Sequence, residues 1–246
     1  MTKPHCIPLE EIGNESVGGK AEGLARLLRL GFRVPPGFVL VGASAEALPS
    51  DLDAQYEALG AGKVAVRSSA LGEDGEAASF AGQYETVLDV EGSAALREAI
   101  QRCLQSADSA RANSYRSKQT KETQAKMNVV VQRMVDARTA GVLFTASPIT
   151  ARRDELVVDA VHGLGEALVS GHATPDHWVL GRDGEQRERE QQGESPLLSE
   201  NELNELRREA LRAEAEYGEA LDLEWAIDAD GELYWLQARP VTTLPS

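Results

Sequence analysis

Cysteine is scarce in this chain, with Cys6 and Cys103 its only two, too few for a disulfide framework or a cysteine-rich metal site, which suits a reducing compartment. Both read as buried, inert thiols. Positive charge is in deficit as well: 25 Lys and Arg against 40 Asp and Glu give a formal charge of -15. The summed field repels polyanions and argues against nucleic acid or an anionic membrane surface as a partner, so a small phosphate ligand would need a local arginine cluster. No apolar run approaches the roughly 20 residues that span a bilayer. The N-terminus, MTKPHCIPLEE, also lacks the apolar core of a signal peptide, and a cytoplasmic protein is expected. Finally, the four histidines, His5, His162, His172 and His177, show no metal-ligand spacing with Cys, Asp or Glu, and no Ser/His/Asp constellation follows from their order.

What is present is a globular composition: 246 residues, 42% of them hydrophobic, enough to bury a core in one large domain or two lobes. Residues 18–31, GGKAEGLARLLRLG, set Leu24, Leu27 and Leu28 on one helical face and put Gly31 where a left-handed C-terminal cap belongs. After Pro35 and Pro36 come strand-like runs at Phe38–Val41, Val64–Arg67 and Thr86–Val90. The stretch LGEDGEAASFAGQ (71–83) has too many small residues for a regular element and reads as a mobile loop. A helical pattern begins at Ser93, runs through Leu96, Ile100, Cys103 and Leu104, and continues as a second helix into Arg116. Asn128–Val135, Thr139–Phe144 and Glu155–Val161 are strand signals rich in β-branched residues. The charged segment 181–194 reads as a solvated hairpin or loop. Ser199 and Glu202 form a capping box ahead of Leu203, Leu206, Ala210, Ala213 and Tyr217, an amphipathic helix of about five turns. Two strands, Leu223–Asp228 and Glu232–Gln237, follow around a DADG turn.

That last hairpin carries chemistry. If Asp230 and Gly231 make a two-residue turn, Ala229 faces Glu232 and Glu224 faces Gln237. Side chains directly opposite on antiparallel strands have Cβ atoms about 5 Å apart, so a carboxylate and an amide oxygen converge. Arg239, two residues further on, points to the same face. Two hard oxygens beside a guanidinium suit a magnesium ion and the phosphates it bridges; a structural Glu-Gln-Arg network fits the spacing equally well. Leu223, Trp225 and Ile227 fall on the opposite face, with Tyr234 and Leu236, as core.

Gly18-Gly19-Lys20 fails the G-x-x-x-x-G-K-[ST] spacing of a P-loop, with Ala21 in place of the hydroxyl residue. A lysine at a helix N-terminus can still hold a phosphate against free backbone amides and the helix dipole, or can simply be solvated. Arg67 is the one charge on the apolar run VAVRSS. At a strand end beside a glycine-rich loop it suits phosphate capture, or an ion pair with Glu73 or Asp74.

Together, GGKAEGLARLLRLGFRVPPGF (18–38), VAVRSSALGEDGEAASFAGQYETVL (64–88), VVVQRMV (129–135), GVLFTASP (141–148), HGLGEALVSGHATPDHWVL (162–180) and DLEWAID…ELYWLQARPVT (222–242) resemble the N-terminal nucleotide-binding domain of the phosphoenolpyruvate synthase, pyruvate phosphate dikinase and rifampicin phosphotransferase family. The resemblance implies an α+β, ATP-grasp-like fold in which two lobes with mostly antiparallel sheets enclose ATP. The first lobe is expected over 1–90, shortened between VPPGF and VAVRSS, with a lid at 71–83; the second over 91–246, with a magnesium-binding hairpin at 222–239. By the same resemblance Lys20 and Arg67 bind phosphates, Gly82 and Thr86 line the pocket and its lid, and Gln132 lies near the adenine. Glu224 and Gln237 hold Mg2+ and Arg239 contacts the terminal phosphates, with Arg67 and Arg239 as the catalytic pair. Family members continue beyond ARPVTTLPS into a phosphohistidine domain, and none of the four histidines lies in a threonine-serine-histidine motif. The expectation is therefore phosphoryl or pyrophosphoryl transfer from Mg-ATP to a histidine on a separate partner, with release of AMP. A self-sufficient ATP-grasp kinase or ligase acting on a small molecule, and a non-catalytic nucleotide-binding module, are the alternatives.

Overall fold

The computed structural model describes residues 3–70, 86–116, 127–165, 168 and 173–241. The chain divides into two compact units, one made of Met1–Leu28 and Pro35–Met134, the other of Arg29–Val34 and Val135–Ser246. Each is built on an antiparallel sheet, in keeping with an α+β fold.

The first unit contains strands β1 (His5–Pro8), β2 (Gly37–Val41), β3 (Val64–Ala70), β4 (Thr86–Val90) and β5 (Met127–Arg133) in the order β1-β2-β5-β3-β4. Its helices are α1 (Gly19–Arg29), α2 (Leu52–Ala58) and α3 (Ser93–Arg116). Strand alternation sorts the sheet into two faces. Phe38 and Leu40, Val64 and Val66, and Val129 and Val131 pack with Leu52 and Tyr56 of α2 and Leu96, Ile100 and Cys103 of α3 into one core. The intervening residues, among them Arg67, Val130 and Gln132, turn to the opposite face. Tyr56 ties α2 to its surroundings, its hydroxyl donating to the carbonyls of Ala61 and Gly62 and accepting from the Gly92 amide.

The second unit contains β6 (Ala137–Phe144), β7 (Glu155–His162), β8 (Asp176–Gly181), β9 (Gln186–Glu190), β10 (Leu221–Asp228) and β11 (Leu233–Pro240), ordered β11-β10-β6-β7-β8-β9, with α4 spanning Glu200–Tyr217. The capping box at Ser199 and Glu202 forms as its spacing predicts, and Gly218 closes α4 in the left-handed conformation. Leu203, Leu206, Ala210 and Ala213 are the buried face of α4. Leu223, Leu143, Val158 and Trp178 stand in one cross-strand row, each at most 1% exposed, so one sheet face is apolar throughout that row. Arg29–Val34 joins this unit through Phe32, edge-on to Trp235 and beneath Arg212, and through the Arg33 carbonyl, which accepts from the Trp235 amide.

Three expectations are corrected. The first lobe does not end at residue 90: α3 packs on the first sheet and β5 pairs with both β2 and β3, which carries that unit to Met134. The segment 93–116 is one helix and not two. On β11 Leu233 and Trp235 are buried, and Gln237 and Ala238 after them, while Tyr234 and Leu236 are only half-buried, because the hairpin register shifts as described below. The proposed lid at 71–83 lies outside the described residues. Among the described residues no helix is long and apolar enough to cross a membrane.

Candidate functional site

In the first unit, antiparallel register gathers predicted site residues onto the face opposite the core. Arg67 stands directly across from Thr86 on β4 and from Val130 on β5. Gln132 is opposite Ala65, two residues from Arg67, and therefore shares that face. Its side chain is 2% exposed and donates through Nε2 to the Pro35 carbonyl at 3.0 Å; it braces the turn that leads into β2. Lys20 reaches the same end of the unit by a different device. Ser69, fully buried on β3, donates through Oγ to the Val17 carbonyl at 3.2 Å and accepts from the Ala21 amide at 3.4 Å. Asn128 of β5 adds a bond to the Ser16 carbonyl. The N-terminus of α1 is thereby stitched to β3 and β5. Gly18 makes the approach possible: it has φ 92, and a Cβ there would lie 2.5 Å from Ser69 Oγ. Gly82 falls outside the described residues.

In the second unit, Glu224 and Gln237 are directly opposite, as predicted, but by a different route. The turn is a three-residue loop, Ala229-Asp230-Gly231, closed by the Asp228 amide donating to the Glu232 carbonyl, by the Glu232 amide donating to Asp228 Oδ1, and by Gly231 at φ 85. This sets Trp225 opposite Trp235 and Ile227 opposite Leu233, one residue out of the predicted register. A bulge between Glu224 and Trp225 then skips Leu236 and restores the predicted pairing. Two departures cancel at the residues that matter.

Arg239 faces Asp222 across the same hairpin, its Nε and Nη2 both donating to Asp222 Oδ2 at 2.8 and 2.6 Å. Asp222 is 9% exposed. Burial pushes its carboxyl above the ordinary range against the pull of Arg239, and the charge of Glu224 adds to the rise. Asp222 was not among the predicted residues, although its place two residues before Glu224 on a strand puts both on one face. Glu224, Gln237 and Asp222 offer only oxygen donors on this face, and Gln237 is 9% exposed. That donor set fits magnesium, which takes one or two protein oxygens and fills its shell with water and phosphate oxygens.

The pyruvate phosphate dikinase AMP/ATP-binding domain family matches this chain over residues 40–195 and 181–246. The chain belongs to that family. It is 38% identical to the phosphoenolpyruvate synthase of Pyrococcus furiosus over 74% of its own length and 26% of the relative's. It is 41% identical to a rifampicin phosphotransferase from Streptomyces over 73% and 23%. The chain thus spans about a quarter of the length of these curated relatives. Among solved structures it resembles the Pyrococcus horikoshii protein PH1788, with a TM-score of 0.54 and 12% identity, covering 90% of this chain and 89% of that one, which bears on the fold alone. The fold is ATP-grasp-like, and the domain is an ATP-binding one.

Proposed function

We propose that the chain is the ATP-binding part of a phosphotransferase that moves a phosphoryl or pyrophosphoryl group from Mg-ATP to a histidine on a separate phosphohistidine-type partner, with release of AMP. The observation that carries this reading is the convergence of Glu224 and Gln237 across one hairpin, beside an Arg239 held at both Nε and Nη2 by Asp222. In this reading Glu224 and Gln237 hold Mg2+, which when bound offsets phosphate charge and fixes the reacting phosphoryl group in line. Arg239 contacts the terminal phosphates, and Asp222 sets the plane of its guanidinium. Arg67 and Lys20 of the first unit bind phosphates, the lysine from the first turn of a helix whose dipole favours an anion. Thr86, opposite Arg67, lines the pocket. Gln132 shapes the adenine side by holding the Pro35 turn. The names of the two relatives, a synthase of phosphoenolpyruvate and a phosphotransferase acting on rifampicin, support phosphoryl transfer as the reaction class.

The test is incubation with magnesium and ATP labelled at the β-phosphate, with and without cell extract. Acid-labile label on a second protein together with AMP is the expected result. ADP without labelled protein would favour a kinase or ligase acting directly on a small molecule, and intact ATP despite binding would favour a nucleotide-binding module. Glu224→Ala and Arg239→Ala should each abolish turnover with the fold intact, measured by nucleotide analysis beside circular dichroism.

A further inference from the structure

Helix α1 has no capping side chain of its own. Its first intrahelical bond runs from the Glu22 amide to the Gly18 carbonyl, which makes Gly18 the N-cap, and a glycine has no side-chain oxygen to offer the first amides of the helix. The hydroxyl that an N-cap serine would aim at the third helical amide comes instead from another strand. Ser69 Oγ of β3 accepts from the Ala21 amide, at a long 3.4 Å, and donates to the Val17 carbonyl at 3.2 Å, so one side chain serves the backbone on both sides of Gly18. Directly opposite Ser69 on β5 is Asn128, whose Nδ2 donates to the Ser16 carbonyl at 3.2 Å. Ser69 and Asn128 are 0% and 3% exposed, so water does not compete for these bonds. Nor can Gly18 be replaced by a residue that caps for itself. Besides the close approach to Ser69 Oγ, a Cβ there would lie 2.7 Å from the Ser69 carbonyl oxygen, and the chain can pass β3 this closely only without a side chain.

We propose that Ser69 is a positioning residue for phosphate binding: by capping α1 from β3 it sets Lys20 at a fixed offset from Arg67, with Asn128 as the second anchor. The proposal rests on the reading that Lys20 and Arg67 bind the phosphates of ATP. Arg67 lies two residues before Ser69 on the same face of β3, about 7 Å along the strand. Lys20 directly precedes the amide that Ser69 holds. Two cations grip one polyphosphate together only while their separation matches that of its oxygens, and the Ser69 bonds fix that separation before nucleotide arrives, which spares the ordering cost on binding. Because Ser69 occupies the Ala21 amide, this end of α1 acts on phosphate through Lys20 and the helix dipole and not through that amide. Without the hydroxyl, the buried Val17 carbonyl loses its donor and the first turn of α1 loses its cap. Lys20 then loses its fixed place, while β3, paired with β4 and β5 on its two sides, still holds Arg67.

The experiment measures the affinities of Mg-ATP and of adenosine, which has no phosphate, by displacement of a fluorescent ATP analogue, with circular dichroism as the check on folding. It compares the wild type with Ser69→Ala, Asn128→Ala, Lys20→Ala and the double variant Ser69→Ala with Lys20→Ala. Expected in Ser69→Ala is a loss of about tenfold in Mg-ATP affinity at unchanged adenosine affinity. Asn128→Ala should show a smaller loss of the same selectivity, and it carries the test if Ser69→Ala does not fold. The double variant should bind Mg-ATP no more weakly than Lys20→Ala alone, since with the lysine gone there is nothing left to position. Unchanged Mg-ATP affinity in the folded variants would overturn the proposal. So would an equal loss for ATP and adenosine, or full additivity in the double variant, either of which would reduce Ser69 to a part of the scaffold. Lys20→Ala with wild-type Mg-ATP affinity would overturn the underlying reading of the phosphate site, and this inference with it.

Discussion

Asp222 stands at the centre of a conflict between stability and function. Its folded-state pKa is raised, first by burial, so the protonated carboxyl suits the fold better than the ionised one. By linkage, its favourable contribution is fully present below the unfolded carboxylate pKa and is lost as pH rises through the higher folded value. At neutral pH the ionised group weighs against folding even with Arg239 bound to it. Asp222→Asn, which mimics the protonated form, should therefore be more stable than the wild type at pH 7, and the difference should shrink as pH falls toward the carboxylate range; thermal unfolding at several pH values measures this. The same variant should weaken turnover by loosening Arg239, the pattern of a site that carries strain for its chemistry.

Among the elements, the capping box and the glycines permit direct tests. Ser199→Ala removes a cap whose hydroxyl accepts from the Glu202 amide and should cost about 1 kcal/mol in denaturant unfolding. Gly141→Ala should cost more, about 3 kcal/mol, since a Cβ there would lie 1.8 Å from the Asp159 carbonyl oxygen and 2.8 Å from Trp225 Cζ2. Strong local signals were legible in the sequence: the S-x-x-E box, the β-branched runs of β5 to β7, and Thr86–Val90 with the bounds that β4 takes. Helix α2 gave no such signal. It has seven residues, and Asp51 at its N-cap accepts from the Cys6 amide instead of capping the helix. The hairpin pairing of Glu224 with Gln237 was legible only because the loop and the bulge offset one another. Turn chemistry suggested two residues at DADG, and nothing in LYWLQ announces a bulge. The Asp159–His177 pair, directly opposite on β7 and β8 and hydrogen-bonded at 2.6 Å, was out of reach, because residues 18 apart meet only through sheet register. The Arg67–Thr86 pair has the same origin, yet the resemblance to known sequences named both.

For the molecule as a whole, charge and thiol content make the simplest statements. Cys6 and Cys103 are 8% and 0% exposed, and burial, with Asp51 beside it, drives the Cys6 thiol far above its usual range. A thiol reagent at neutral pH should label neither until the fold opens, with labelling rates that follow unfolding in denaturant. The partition into units went astray at the level of chain path. Composition offers no linker at the true division, and the chain enters the second unit briefly at Arg29–Val34 before returning to the first. That excursion sets the Phe32 ring at right angles to that of Trp235 and gives a carbonyl to its amide, while Arg212 donates to the Leu30 carbonyl at 2.9 Å. Recombination that moved codons 135–246 as one uninterrupted block would leave those six residues behind, so the second unit can be inherited whole only together with a stretch of gene that lies inside the first.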